Sequence, residues 1–334
     1  MALSSREIVN RAILDAIAEA RCVGLLTPSD SSHPRQYLIA QDARQISMWA
    51  YCWMLTPGGR PSLPNEYRIQ MTSVQSPLPI NPGGYTVLLG YEPNRNVFAG
   101  YDLTRHTVFT SGSPSVQVNI QTLNDAMQNG LAFETKSNGE IVVGVRSDLL
   151  MFYCQYAADL HRLGEDSASL EFVKRASELE EIIGGDISDL SQRRQLIVRE
   201  TSRWSRSASF RRQVLSAYEN RCAVTRRQLR LVDAAHILPV SSGSMSIDDV
   251  RNGIALSPTY HRAFDNGLIY LDHSDQGIVM RLNSNAVDEL MRMGLAGGID
   301  EFGSTLGSVH LPFNPQQRPD PSFIRLANQY RGLE

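Results

Sequence analysis

The chain has 334 residues, 42% of them hydrophobic and 20% charged, with a formal net charge of −3. That length is comfortable for two cores, and no run of about 18 apolar residues predicts a membrane-spanning helix. No basic start followed by an apolar stretch marks a leader, and Cys22, Cys52, Cys154 and Cys222 form no CxxC pair. These features argue against a disulfide framework and a zinc ribbon, and a reduced, cytoplasmic protein is expected.

In chain order, Ser5 to Ala20 predicts an amphipathic helix, with Ile8, Ala12, Ile13, Ala16 and Ile17 on one face. From Arg35 to Val145 the pattern changes to strands, expected at 36–40, 45–53, 67–71, 85–90, 96–101, 115–119 and 140–145, with a short helix from Thr122 to Asn129. Gly- and Pro-rich clusters separate them, among them Thr56-Pro57-Gly58-Gly59, Asn81-Pro82-Gly83-Gly84 and Ser111-Gly112-Ser113-Pro114. Short strands at this spacing predict a mixed sheet or a small barrel. Trp49, Tyr51 and Trp53 share one face of the second strand and form either a core stripe or a base-binding pocket. Arg68 and Gln70 share a face of the third; they can read guanine and adenine edges or stand as ordinary exposed residues. Helices are expected over 148–163 and 167–183, from near Ser188, and over 208–219.

Charge is unevenly distributed. Between Ser191 and Arg230 lie eleven arginines, including Arg203, Arg206, Arg211, Arg212, Arg226 and Arg227, against two acids, Glu200 and Glu219. Such a block is an electrostatic footprint for phosphates, although a solvated helix face is the common alternative.

The block adjoins Asp233-Ala234-Ala235-His236, then Asn252, then His261-Arg262-Ala263-Phe264-Asp265. Cys222 to Thr225 and Leu231 to Ile237 read as two strands of a hairpin. A Ser/Gly-rich loop, Ser241-Ser242-Gly243-Ser244, follows. A helix begins near Ser257-Pro258, where proline fits the first turn. Asp265 is four residues beyond His261 and shares its helix face. The other histidines, His33, His106, His161, His273 and His310, have no supporting neighbours in the sequence.

From Phe210 to about Asp272 the chain resembles the HNH nucleases, in the form where AAHI is followed by NG and then HRxFDxG. The resemblance implies a ββα-metal finger in which His236 is the general base that takes a proton from water. It implies that Asn252 fixes the loop carrying His236, and that His261 binds one divalent ion, Mg²⁺ or Mn²⁺, with Asp265 beside it. Many relatives carry an acid or histidine directly before the base. Here that residue is Ala235, and Asp233, two residues earlier, is the candidate replacement ligand.

The layout resembles modular restriction enzymes, some of which flip a modified cytosine into a PUA-like or SRA-like barrel. The expectation is an α+β chain: residues 1–146 a DNA-recognition domain, 147–200 a helical linker, and 201–334 an HNH nuclease domain. It is expected to act on double-stranded DNA as a restriction-type endonuclease, without a membrane, and as a homodimer, since one finger has one site and a double-strand break needs two. Two alternatives remain: a defence nuclease whose N-terminal domain senses a small signal, and a DNA-binding protein whose nuclease site is degenerate.

Overall fold

Helix α1 (Ser5–Glu19) starts where Ser4 and Glu7 form a capping box, and it buries Val9, Ala12, Ile13, Ala16 and Ile17, the stripe that its periodicity predicts. In this computed structural model, residues 3–28, 32–41, 44–110, 114–243, 248–274 and 277–333 are described. They divide into two units, Met1–Ser205 and Arg206–Glu334. The turn at Ser111-Gly112-Ser113 and the loop residue Ser244 lie outside the described residues.

The first unit is built on strands β1 (Val23–Leu26), β2 (Arg35–Gln41), β3 (Arg44–Met54), β4 (Thr56–Pro57), β5 (Glu66–Gln70), β6 (Gly84–Glu92) and β7 (Val97–Tyr101). A short α2 (Leu103–His106) precedes β8 (Ser115–Asn119), α3 (Ile120–Asn129), β9 (Leu131–Thr135) and β10 (Ile141–Arg146). Seven strands form one mixed sheet in the order β1-β2-β3-β6-β7-β10-β9, and β4-β5-β8 form a second, smaller sheet. β3 and β6 pair in parallel, with Ser47 opposite Gly84. The chain between them supplies β4 and β5, so the parallel crossover is made through the small sheet.

Alternation along β3 assigns its two faces. Tyr51 and Trp53 pack with Ile69, Val116, Val118 and Leu123, the core between the large sheet, the small sheet and α3. Met48, Ala50 and Cys52 are buried on the other face, which is covered by α1 and by α4 (Leu150–His161). α4 lies very close to the sheet at Gly100: a Cβ there would run into the Tyr153 ring and hydroxyl. Tyr153 is itself fixed, because its hydroxyl meets His161 Nε2 at 2.8 Å and His161 Nδ1–H donates to the Ile141 carbonyl at 2.7 Å.

The helices after the sheet differ from expectation in their bounds. α5 (Ser167–Ser177) stops six residues before the Gly184-Gly185 pair, because Leu179 takes the left-handed conformation (φ 67°) and ends it. The two helices expected around Ser188 and Ala208 are one, α6 (Gln192–Ala217), which stops just before Glu219 and Asn220, both at positive φ.

The second unit continues with β11 (Asp233–His236), β12 (Gly253–Leu256), α7 (Pro258–Asp265), β13 (Ile269–Ser274), β14 (Gly277–Leu282), α8 (Ser284–Arg292), α9 (Ile299–Ser304), β15 (Gly307–Ser308) and α10 (Pro321–Arg331). The expected hairpin of Cys222–Thr225 with Leu231–Ile237 is not formed. Arg226, Leu229 and Arg230 all have positive φ, which an extended strand does not adopt, and residues 223–225 form a turn. β11 pairs instead with β12, Ala234 opposite Ala255 and His236 opposite Gly253. Gly253 is required there because a Cβ would strike the Val214 side chain on α6.

Gly100→Ala should destabilise the first unit by about 1–3 kcal/mol, the usual cost of forcing a methyl into a packed contact. Urea or thermal unfolding of the full chain should show it, with Gly83→Ala, which meets nothing within 4 Å, as the neutral control.

Candidate active site

β11, β12 and α7 form because their inward residues are apolar and small: Ala234, Ala235, Ile254, Ala255, Leu256 and Phe264 are buried in one cluster with Phe210 and Val214 of α6. That packing fixes the polar residues at the strand ends. Asn252, just before β12, is fully buried. Its Nδ2–H donates to the Leu238 carbonyl at 3.0 Å, its Oδ1 accepts the Leu238 N–H at 2.8 Å, and its own carbonyl accepts the Ile237 N–H at 2.8 Å. The two residues after His236 are therefore clamped from the facing strand.

The His236 ring stacks on Phe210, with centroids 3.9 Å apart and planes 5° from parallel. Its Nε2–H donates to Asp248 Oδ1 at 3.0 Å. A carboxylate on Nε2 assigns the proton to that nitrogen and leaves Nδ1 with a lone pair, the tautomer that a general base needs. Asp248 is a contact of the candidate site that sequence reasoning missed. Its only signal was an acid beside Asp249, twelve residues from His236.

His261 projects from the first turns of α7 between two carboxylates. Nδ1 is 3.5 Å from Asp233 Oδ2, and Nε2 is 3.3 Å from Asp265 Oδ2. The other oxygen of Asp233 lies 3.2 Å from Arg211 Nη1. The three expected ligands are thus brought together but do not converge, because the lone pairs of the two imidazole nitrogens point apart. One ion can meet His261 with Asp233, or His261 with Asp265, and not all three. Consistent with this, no group of three or more His, Cys, Asp or Glu among the described residues is arranged to hold a metal.

A second missed residue is Arg331 of α10. Its guanidinium lies over the Phe264 ring, 4.5 Å from the centroid, and Nη1–H donates to the Ile237 carbonyl at 3.1 Å. Burial lowers its pKa and the nearby Asp265 opposes that shift. Tyr330 meets Ser241 Oγ at 3.0 Å, so α10 contacts the segment after His236 at two points, Ile237 and Ser241.

The other expected residues are dispersed. Arg203 pairs with Glu200 at 2.6 Å and Arg226 with Glu219 at 3.0 Å, so part of the basic block is neutralised within itself. Arg206, Arg212 and Arg227 are exposed. On the sheet unit Arg68 is half-buried and Gln70 exposed. Trp49 and Trp53 are half-buried, whereas Tyr51 is 1% exposed and donates its hydroxyl to the Pro79 carbonyl. Tyr51 is therefore core, and the aromatic face is not an open three-residue cage.

Residues 222–272 match the family model described as HNH endonuclease. Residues 46–154 match one described as methylase-associated X1. No curated protein matches the chain. A solved structure described as a modification-dependent TagI restriction endonuclease aligns with 84% of this chain and 80% of its own, at 14% identity and a TM-score of 0.29. A superposition at that score does not establish a shared architecture. The chain is a mixed α+β protein with an N-terminal sheet unit, helices in the middle and a C-terminal HNH domain.

Asn252→Ala should cost about 2–4 kcal/mol, because it leaves a buried N–H and a buried carbonyl of Leu238 without partners. Chemical denaturation measures the loss. Wild-type stability in this variant would mean that the clamp is redundant.

Proposed function

We propose that the chain is a restriction-type DNA endonuclease that hydrolyses phosphodiester bonds with His236 as general base. The observation that carries this reading is the His236 ring held between Phe210 and Asp248, beside a loop anchored by buried Asn252. A water hydrogen-bonded to Nδ1 gives up its proton and attacks phosphorus in line, and the bond from phosphorus to the leaving 3′ oxygen breaks. Asp248 holds the tautomer and stabilises the imidazolium formed when Nδ1 takes the proton.

The pair of His261 Nδ1 and Asp233 Oδ2 suits a divalent ion, Mg²⁺ or Mn²⁺. Ligands on one ion at about 2.1 Å sit roughly 3–3.5 Å apart, and Asp265 on Nε2 supplies the carboxylate that commonly orients a metal-bound imidazole. Bound there, the ion would supply positive charge for the phosphate and leaving oxygens. Arg206, Arg212 and Arg227 contact the DNA backbone, and Arg203 and Arg226 join them by exchanging an internal carboxylate for a phosphate.

The restriction context rests on the N-terminal match, since a domain described as methylase-associated beside a nuclease fits a system that discriminates DNA by modification. In this reading residues 1–146 select the target, with Arg68, Gln70, Trp49 and Trp53 as the candidate contacts, 147–200 form the linker, and a cytoplasmic homodimer makes both cuts.

His236→Ala should reduce plasmid cleavage by about 10²–10⁴ while duplex affinity stays within a fewfold. Asp248→Asn should give a smaller loss in the same direction. Full activity in His236→Ala would remove the proposed base. Asp233→Ala should raise the Mg²⁺ concentration needed for half-maximal rate more than Asp265→Ala does, and the reverse order would move the ion to Nε2. Digestion of phage DNAs that differ in cytosine modification tests the selection role; equal cutting of all of them would sink it.

A further inference from the structure

The sheet unit contains an arginine that its own described residues do not neutralise. Arg35 opens β2, is 7% exposed, and has no recorded ion pair among the described residues. Its Nη1–H donates to the Cys52 carbonyl, which also accepts from His33 Nε2, while its Nε–H has no partner among the described residues. His33 cannot carry the missing charge. Its ring stacks on Trp53 at 4.1 Å, and burial first, then Arg35 and Arg6, push its pKa down to about 4 against the backbone bond to Cys52, so it is neutral near pH 7.

Arg35 faces a cavity of about 320 Å³ lined by Arg6, Asn10, Leu26, Thr27, Pro28, Arg35 and Gln36. Two of these residues are cationic and none is acidic. Arg6 lies close enough to Arg35 to repel it. Asn10 uses Oδ1 to accept the Tyr37 hydroxyl, which turns its Nδ2–H₂ donors toward other partners. Glu7, the nearest acid on α1, is occupied by Ser4 in the capping box.

An unpaired buried guanidinium is costly, and the repulsion from the exposed Arg6 beside it adds to that cost. The arrangement is resolved by a bound anion that accepts from both arginines and from Asn10. Planar forked donors match phosphate geometry, and the volume lies at the small end of ligand pockets, about 300–1,000 Å³. We propose that the cavity between α1, β1 and β2 is a binding site for the phosphate group of a nucleotide, held by Arg6, Asn10 and Arg35. The nucleotide is either free or part of a DNA backbone. The site lies in the sheet unit and does not depend on the nuclease reading of the second unit.

The test uses the full chain carrying His236→Ala, so that DNA remains intact. Deoxyadenosine 5′-monophosphate, inorganic phosphate, deoxyadenosine and a short duplex are each titrated, with calorimetry and thermal melting as readouts. The phosphate-bearing compounds should raise Tm and deoxyadenosine should not. Arg6→Gln and Arg35→Gln should each weaken the response about 10- to 100-fold, the effect of a charge-assisted bond. Without ligand, Arg35→Gln should melt no lower than its parent, since it removes a buried unpaired charge. Arg6→Gln carries the test if Arg35→Gln does not fold. A response to mononucleotide identifies a free nucleotide. A response to duplex alone, with the salt slope reduced by about one in each variant, identifies the backbone. Two results overturn the proposal. One is that no phosphate compound distinguishes the variants from their parent. The other is that Asp30→Asn, at a position outside the described residues, destabilises the parent but not Arg35→Gln, which would make Asp30 the counter-charge.

Discussion

The geometry of the nuclease unit depends on one buried amide. Asn252 uses its side-chain donor and acceptor on the backbone of Leu238 and its carbonyl on Ile237, so the two residues after His236 are fixed from the facing side of the pair. A buried amide with every group satisfied is strongly directional, because any shift of the loop breaks two or three bonds in a low-dielectric interior. The Phe210 stack and the Asp248 contact then act on a ring whose backbone is already fixed. Without that clamp, neither could define where Nδ1 points.

The two carboxylates around His261 lie against different ring nitrogens. Residue spacing places Asp233 and Asp265 near His261, and both are near it. Spacing does not say which ring nitrogen each one meets, and that decides whether a carboxylate is a ligand or an orienting partner. Ala235, directly before His236, is buried against the core. Arg211 occupies one oxygen of Asp233, which leaves the other directed at His261.

Much of the fold was legible where alternation or periodicity was strong. The α1 stripe and the strands of the large sheet follow it within a residue or two. β1 was missed because two of its three apolar residues, Val23 and Leu25, are exposed, and β9 because it is short and half-buried. The hairpin partner of β11 was misassigned for a physical reason. Residues 222–225 are as apolar as a strand, but the left-handed residues that follow them form a compact turn, and the true partner lies beyond a loop of sixteen residues. His236, Asn252 and His261 stood out because their order and spacing resemble those of the HNH nucleases. Asp248, Arg331 and the Arg6–Arg35 cavity did not stand out, since each depends on residues brought together from separate elements.

The brace from Arg331 to the Ile237 carbonyl spans 94 positions of the chain. On a ribosome adding roughly 5–20 residues per second, Ile237 is synthesised several seconds or more before the arginine that supports its carbonyl. During that interval the β11–β12 pair lacks the α10 contacts at Ile237 and Ser241. Order of synthesis thus delays completion of these contacts until most of the second unit has emerged.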